Sequence, residues 1–117
     1  MTTAPREIAE AFSAHRFDEA FGHLAADVRW VLPGGPPIEG RDAVTDACRN
    51  TAAELAGVDT EFTRFLTVGG TDAVVVDVIA RHVGPDGTSV VSSCDIYEFV
   101  DGVVVRITSY AVELPAG

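Results

Sequence analysis

The 117-residue sequence carries few positive charges. Eight lysine or arginine residues stand against eighteen aspartate or glutamate residues, which gives a net charge of −10 at pH 7. Proteins that bind nucleic acid need a basic face that displaces counterions from phosphate groups. Docking on an anionic membrane surface needs the same positive charge. The composition therefore argues against both kinds of partner, and the acidic balance favours solubility.

Cysteine is scarce as well. Cys48 and Cys94 lie far apart and in no CxxC arrangement, so neither a disulfide framework nor zinc-site spacing is present. Two small thiols in a reducing cytoplasm are the simplest interpretation. His15, His23 and His82 are not paired at metal-ligand spacing, and no glycine-rich loop has the strand-to-helix setting of a phosphate site. We therefore expect no metal and no organic cofactor.

Long apolar runs are missing. No segment approaches the length of a membrane span, and the N-terminal stretch lacks the basic and apolar regions of a signal peptide. A chain of this length is sufficient for one buried core. The sequence therefore predicts one domain over residues 1–117, located in the cytoplasm.

Helical periodicity fills the first half of the chain and strand periodicity the second. Apolar residues recur at helical spacing over 5–14, 17–25 and 41–56, with a short strand at 29–32. Period-two patterns then predict strands at 59–68, 73–83, 88–100 and 103–113, separated by turn compositions. The Asp101-Gly102 pair suits a two-residue type I′ turn. Helices followed by a strand meander predict an α+β fold, with the helices on one face of a curved sheet.

Some of the predicted strands are apolar on both faces. Residues 74–76 and 103–105 are runs of three valines, whereas a sheet with one wet face alternates apolar and polar residues. The predicted helices are enough to cover one face only. A second copy of the chain is the simplest cover for the other face, so we expect a homodimer through the sheet.

Two acidic residues lie within apolar strands. Asp95 shares a strand face with Tyr97 and Phe99, and Asp77 interrupts an apolar run. A buried carboxylate costs several kcal/mol unless it is hydrogen-bonded or neutralised. If both acids face one cavity, one can act as a base while the other stays protonated and donates a hydrogen bond. The alternative is that each is bound to structural partners at a strand edge.

The pairing register of the two strands decides whether Asp77 and Asp95 lie on the same face of the sheet or on opposite faces. If the hairpin around Pro85 and Asp86 places Asp77 directly opposite Asp95, both side chains point to the same side of the sheet. A shift of one residue places them on opposite sides. We expect the register in which both acids face inward.

Further side chains accompany the acids on the predicted inner face. Trp30 and Leu32 lie two residues apart on the first strand, and Trp30 can stack on a flat ligand. Tyr97 and Ser109 offer polar contacts, and Phe99 extends the apolar wall. Core packing explains the aromatic residues equally well.

Three segments carry a resemblance to a known family. LAADVRWVLPGG, IEGRDAV and DIYEFVDGVVVRITSY occur in the order and spacing of the nuclear transport factor 2-like superfamily. Within it, the chain most resembles the SnoaL-like and ketosteroid isomerase-like branch. The resemblance spans nearly the full chain. It implies a cone-shaped α+β fold, a deep apolar pocket between the curved sheet and the helices, and usually a dimer.

The resemblance to ketosteroid isomerases is partial at the site. The position of their general base corresponds to Leu32, and that of their tyrosine donor to Ile8. Asp95 matches their protonated aspartate donor, a carboxylic acid that an apolar site keeps neutral. The resemblance therefore supplies one of three catalytic groups.

Two other relatives serve as templates. In limonene epoxide hydrolases the acid of an Arg-x-Asp motif corresponds to Asp77, while the arginine position is Val75 and the partner acid position is Ser109. Cyclases of the SnoaL type rely largely on one pocket acid, which this chain possesses.

We therefore expect a small-molecule enzyme that uses acid–base catalysis in an apolar pocket. Asp95 and Asp77 are the candidate catalytic residues. The expected reaction is isomerisation, cyclisation or hydrolysis of a hydrophobic, carbonyl-bearing compound of polyketide, steroid or terpenoid type. The alternative is a non-catalytic module of the same fold that binds a small ligand or dimerises. The candidate ligand-binding residues are Trp30, Leu32, Tyr97, Phe99 and Ser109.

Overall fold

Two helices, two short 3₁₀ turns and six strands make up the protein. The computed structural model describes residues 4–116. The 3₁₀ turns, Phe17–Glu19 and Phe21–His23, connect the first helix to the first strand. The other elements are α1 (Pro5–Ser13), β1 (Leu24–Val31), β2 (Ile38–Glu39), α2 (Arg41–Glu54), β3 (Asp59–Gly69), β4 (Ala73–Gly84), β5 (Gly87–Val100) and β6 (Val103–Leu114).

All six strands form one mixed sheet in the order β2-β1-β6-β5-β4-β3. β1 and β6 are parallel, and every other neighbouring pair is antiparallel. α1 packs mainly on β4, and α2 packs on β1 and β2. The predicted α+β class is confirmed. No helix formed by residues 4–116 has the length and apolar character needed to cross a membrane.

The core lies between the helices and the inner face of the sheet. Burying a large apolar side chain contributes about 1.5–3 kcal/mol to stability, and the residues buried here are valines and aromatics at alternate strand positions. They pack against apolar residues that recur at helical spacing. The cluster includes Val74, Val76, Val78, Tyr97, Phe99, Val104 and Ile107 from the sheet, with Ile8, Phe12, Val44 and Cys48 from the helices.

The outer face of the sheet carries exposed apolar side chains. Val68 and Val112 are 56% and 62% exposed, and Leu66 and Tyr110 are about half exposed. No helix of the described chain packs on this side. The runs of three valines are therefore buried on one face only within a single chain.

The second predicted helix, over 17–25, is wrong. The segment forms two 3₁₀ turns instead, and β1 begins at Leu24 rather than at Arg29. A 3₁₀ turn also brings residues i and i+3 together, so Phe17 and Ala20 match a helical pattern over this short distance. The pairing of β1 with β6 is interrupted between Leu24 and Arg29. Because of this irregularity, the first half of β1 does not show the two-residue period of a regular strand in the sequence.

The tight hairpins follow their sequence signals. Asp101 and Gly102 both have positive φ, 51° and 81°, as a type I′ turn requires. Gly84 pairs with Gly87, so the loop between β4 and β5 contains two residues, Pro85 and Asp86. This loop length sets the register of β4 against β5.

The C-terminus of α1 ends in a Schellman motif with an unusual residue. The Arg16 N–H donates to the Ala11 carbonyl at 2.8 Å, and the His15 N–H donates to the Phe12 carbonyl at 3.1 Å. His15 has a φ of 65°. Glycine is the usual residue at this left-handed position, because any other side chain brings Cβ close to the following carbonyl oxygen.

We expect His15→Gly to be more stable than His15→Ala by about 1 kcal/mol. Both variants remove the imidazole, so the comparison isolates the backbone conformation. Urea unfolding of the two variants, with equal m-values, measures the difference. Equal free energies of unfolding would show that the left-handed conformation at this position carries no strain.

Candidate functional site

A cavity of about 290 Å³ opens between the end of α1 and the inner face of the sheet. Aromatic and aliphatic side chains form much of its wall, and several polar groups converge on it, an arrangement typical of ligand sites. Its lining residues are Phe12, Ser13, His15, Phe17, Trp30, Leu32, Thr51, Phe62, Val78, Ala80, His82, Val91, Ser93, Asp95, Ser109 and Ala111. Within the described chain, Asp95 is the one acidic residue of this wall.

Three other clefts have similar volumes. One of about 360 Å³ lies beside the Pro85-Asp86 turn, one of about 320 Å³ lies between Phe21 and Arg49, and one of about 300 Å³ lies between Glu7 and Arg16. None of the three combines a partly buried carboxyl with aromatic side chains, as the first cavity does. We therefore take the cavity at Asp95 as the candidate site.

Hydrogen bonds hold the Asp95 carboxyl in place. The Ser13 hydroxyl donates to Asp95 Oδ2 at 2.8 Å, and the Ser13 and Tyr97 oxygens lie 2.6 Å apart. Because the single Ser13 hydrogen points at ionised Asp95, Tyr97 donates to Ser13 in that state. The bond joins the last residue of α1 to β5 across 82 positions of sequence.

A second arm reaches the same carboxyl from β1 and β6. The Trp30 Nε1–H donates to Ser109 Oγ at 2.9 Å. The indole can only donate, so the Ser109 hydroxyl hydrogen is directed elsewhere. Ser109 lies directly opposite Asp95 in the pairing of β5 with β6, and it lowers the pKa of that carboxyl. Phe12 packs edge-to-face on Trp30 with ring centroids 5.2 Å apart, which fixes the indole.

Burial is the dominant influence on the protonation of Asp95. It raises the pKa of the carboxyl, while Ser109, Ser13, the charge of His15 and the nearby Tyr97 hydroxyl oppose the rise. The donors stabilise the charged form without cancelling the desolvation. The result is a carboxyl whose pKa is raised but that keeps partners in both protonation states.

Two histidines stand on the cavity wall near Asp95. The rings of His15 and His82 are stacked with centroids 6.2 Å apart, and His82 Nδ1 lies 2.9 Å from Thr60 Oγ1. Burial lowers the pKa of His15, the nearby His82 lowers it further, and the charge of Asp95 opposes both. His15 is therefore held as the neutral imidazole near pH 7.

The structure brings four of the predicted residues together. Asp95, Trp30, Leu32 and Ser109 all line the cavity. Tyr97 is fully buried behind Ser13 and is connected to Asp95 through that hydroxyl.

Two predicted residues lie away from the cavity. Phe99 is 5% exposed and packs in the core, beyond Tyr97 on the same strand face. Asp77 pairs with Cys94, so it points to the outer face of the sheet while Asp95 points inward. There Asp77 accepts a hydrogen bond from Arg64 Nε at 2.9 Å, within an ion pair. The expected register, with both acids facing inward, is therefore wrong, because the two-residue loop at Pro85-Asp86 places Val76 opposite Asp95.

Five polar residues of the wall were not predicted from the sequence, namely Ser13, His15, Thr51, His82 and Ser93. His82 could have been found, because it continues the period-two face of Val78 and Ala80. Ser13 ends α1 and His15 lies two residues further along the chain. The signal that identifies His15 is its position directly after the C-cap residue Ala14, where a Schellman motif usually has glycine.

Among the side chains of residues 4–116, no group of three or more histidine, cysteine, aspartate or glutamate residues is placed to hold a metal ion. Burial raises the pKa of the Cys48 thiol to about 12, which keeps it protonated near pH 7. The acid–base groups of the cavity are therefore Asp95, His15 and His82.

Comparison with known proteins places this geometry in a family. The SnoaL-like domain matches residues 6–107, and no curated protein matches the sequence significantly. An NTF2-like protein of unknown function from Cytophaga hutchinsonii ATCC 33406 is 25% identical, with a TM-score of 0.78 over 90% of this chain and 93% of its own.

Two further solved structures share the fold at lower identity. A candidate polyketide cyclase from Xanthomonas campestris pv. campestris is 22% identical, with a TM-score of 0.69 over 88% of this chain and 83% of its own. An LEH-like epoxide hydrolase from M. tuberculosis is 18% identical, with a TM-score of 0.66 over 92% of this chain and 81% of its own. The sequence match covers most of the chain and the fold agrees with it, so the chain belongs to the SnoaL-like family of the NTF2-like superfamily.

Proposed function

We propose that this protein is a small-molecule enzyme that moves a proton at a carbon atom beside a carbonyl group, with Asp95 as the acid–base residue. The observation that carries the proposal is a single carboxyl with a raised pKa on the wall of a cavity lined by aromatic side chains. Its substrate is a hydrophobic carbonyl compound of polyketide, steroid or terpenoid type. The reaction is an isomerisation or a cyclisation.

The raised pKa of Asp95 suits it to this chemistry. General acid–base catalysis is most efficient when the pKa of the catalytic group lies near the working pH. Ionised Asp95 takes a proton from the α-carbon, and the resulting enol or enolate accepts the proton back at another carbon or attacks an internal carbonyl. The hydrogen bond from Ser13 keeps the carboxylate oriented through both steps, and Ser109 lies opposite it on β6.

Hydrolysis is less well supported by the geometry. The hydrolase template requires a second acid near the first, whereas Asp77 lies on the outer face with Arg64, and Ser109 occupies the position of the partner acid. A single carboxyl favours proton transfer that begins and ends on the same group.

The dimensions and walls of the cavity suit a flat ligand. Phe12, Phe17, Trp30 and Phe62 contribute aromatic surface, and rings of this kind pack well on conjugated molecules. A volume of about 290 Å³ accommodates a compact ligand of roughly two fused rings.

One observation favours a second candidate, a ligand-binding module without catalysis. Asp95 is hydrogen-bonded to Ser13 and thereby ties α1 to the sheet. A buried polar network of this kind also serves to specify a single packing arrangement. In that case Asp95 is structural and the cavity only binds its ligand.

We further propose that the protein works as a homodimer in the cytoplasm. The outer face of the sheet exposes apolar side chains at both sides of its centre, Leu66 and Val68 on β3 and Tyr110 and Val112 on β6, and exposed apolar surface of this kind marks interaction sites. A second copy offers the same surface under two-fold symmetry. The free thiols of Cys48 and Cys94 suit a reducing compartment.

We expect Asp95→Asn to slow proton exchange at the α-carbons of 2-tetralone in D₂O by about a hundredfold or more, because the amide cannot accept the proton. Proton NMR measures the exchange. Asp77→Asn, which alters the acid on the outer face, is the matched control and should retain the wild-type rate. Wild-type exchange no faster than buffer, or an unaffected Asp95→Asn variant, would favour the binding module.

Asp95 also makes stability depend on pH. With a raised native pKa, the native state binds more protons than the unfolded state between the two pKa values, so the free energy of unfolding falls as pH rises. We expect wild type to lose stability relative to Asp95→Asn from about pH 3.9 upward, up to the native pKa. Urea unfolding across this range measures the difference. A difference that grows in favour of wild type would mean that the native pKa is lowered instead.

We expect Val112→Asp to convert a dimeric wild type into a monomer, because it places a charge at a strongly exposed apolar position of the outer face. Sedimentation equilibrium measures the mass, and a rise of at least about a hundredfold in the dissociation constant corresponds to the cost of burying an unpaired charge. Ala43→Asp, on the exposed side of α2, adds the same charge elsewhere and serves as the control. A monomeric wild type would refute the dimer.

A further inference from the structure

His15 occupies a backbone position that is costly for a histidine. Its φ of 65° lies in the left-handed region, and the two hydrogen bonds of the Schellman motif hold it there. Strained non-glycine residues of this kind persist where the surrounding structure determines them, and they cluster at functional sites. A histidine rather than a glycine at this position therefore indicates a role of the side chain.

The consequence of this backbone conformation is the placement of the imidazole. The ring lies on the cavity wall, with its centroid 5.4 Å from Phe17 and 5.8 Å from Phe62. Its stacking partner His82 is hydrogen-bonded to Thr60. Within residues 4–116, no side chain forms a hydrogen bond to a ring nitrogen of His15, so the ring keeps a donor and an acceptor for a ligand.

We propose that the imidazole of His15 binds the ligand of this cavity by donating a hydrogen bond to the carbonyl oxygen of a flat aromatic or unsaturated ketone. The inference rests on the proposed function for the place of Asp95, since both groups address one ligand. It adds the group that holds the carbonyl and names the ligand as a ketone.

The protonation state of the ring fits this role. Burial and His82 lower the pKa of His15 while Asp95 opposes them, so near pH 7 the imidazole is neutral and carries one N–H. A neutral donor can hold a carbonyl oxygen without neutralising the carboxylate that acts as the base.

The electron flow is balanced without any further reactant. Asp95 takes the α-proton, the C–H electron pair becomes the carbon–carbon double bond, and the carbonyl π-pair moves onto oxygen. The His15 N–H stabilises the negative charge that develops on that oxygen. Asp95 then returns the proton to carbon, and the imidazole keeps its own proton throughout.

Two ligands of the same shape separate the carbonyl contact from packing. 2-Acetylnaphthalene carries a C=O group, and 2-isopropenylnaphthalene carries a C=CH₂ group in its place. Quenching of Trp30, the single tryptophan and a cavity residue, measures both dissociation constants. We expect wild type to bind the ketone about fivefold more tightly than the alkene, the effect of one hydrogen bond.

The variants assign this preference to one side chain. His15→Gly, which suits the left-handed backbone, should bind both ligands equally, and its unchanged affinity for the alkene shows that the cavity is intact. His23→Ala removes a histidine outside the cavity and should retain the fivefold preference. A preference that survives in His15→Gly would overturn the inference, as would a wild type that shows no preference or binds neither ligand.

Asp95→Asn distinguishes the two proposals. It should retain the ketone preference while losing proton exchange on 2-tetralone. A preference that depends on His15, together with exchange that does not depend on Asp95, supports the binding role of His15 and refutes the catalytic one of Asp95. Exchange that depends on Asp95, in a wild type without a ketone preference, would support the catalytic role of Asp95 and refute the binding role of His15.

Discussion

The hydrogen bond from Ser13 to Asp95 connects the two parts of the molecule that form the cavity. On one side of it lies the end of α1, and on the other lies the inner face of the sheet. A carboxyl can be kept in an apolar wall only when donors offset part of its desolvation. That requirement explains the polar side chains around the carboxyl, which are Ser13, Tyr97, Ser109 and Trp30. It also explains why α1 ends at Ser13.

The same constraint explains the unusual end of α1. The helix terminates at Ser13, so that the hydroxyl reaches the carboxyl, and the chain then reverses through a left-handed residue. With histidine at that position, the turn delivers a titratable ring to the wall beside Asp95. The turn that ends α1 therefore also builds part of the cavity wall.

Most of the architecture could be predicted from the sequence, because it depends on local periodicity. The four long strands, the Asp101-Gly102 turn and both helices follow from patterns that extend over many residues. The segment from Phe17 to Leu24 could not be assigned correctly, since it is too short for its apolar spacing to distinguish a 3₁₀ turn from a helix. Strand β2, with two residues, leaves no period at all.

The site was predictable only in part, because it depends on single-residue registers. Alternation along the strands predicted that Asp95 and Trp30 face inward, and both line the cavity together with Leu32 and Ser109. The same reasoning failed for Asp77. A three-residue loop between β4 and β5 would have placed it opposite Asp95, whereas the actual two-residue loop places it on the other face. The Gly-Pro-Asp-Gly sequence is compatible with either length.

The parallel pairing of β1 with β6 brings together parts of the chain that are synthesised at different times. The contacts at Asp95 join residues that are 82 and 79 positions apart, Ser13 with Asp95 and Trp30 with Ser109. The β3–β6 meander can form from local hairpins, whereas contacts of such high separation form late. On the ribosome, α1 and β1 must therefore wait until the C-terminal strand has emerged, and the cavity is completed last.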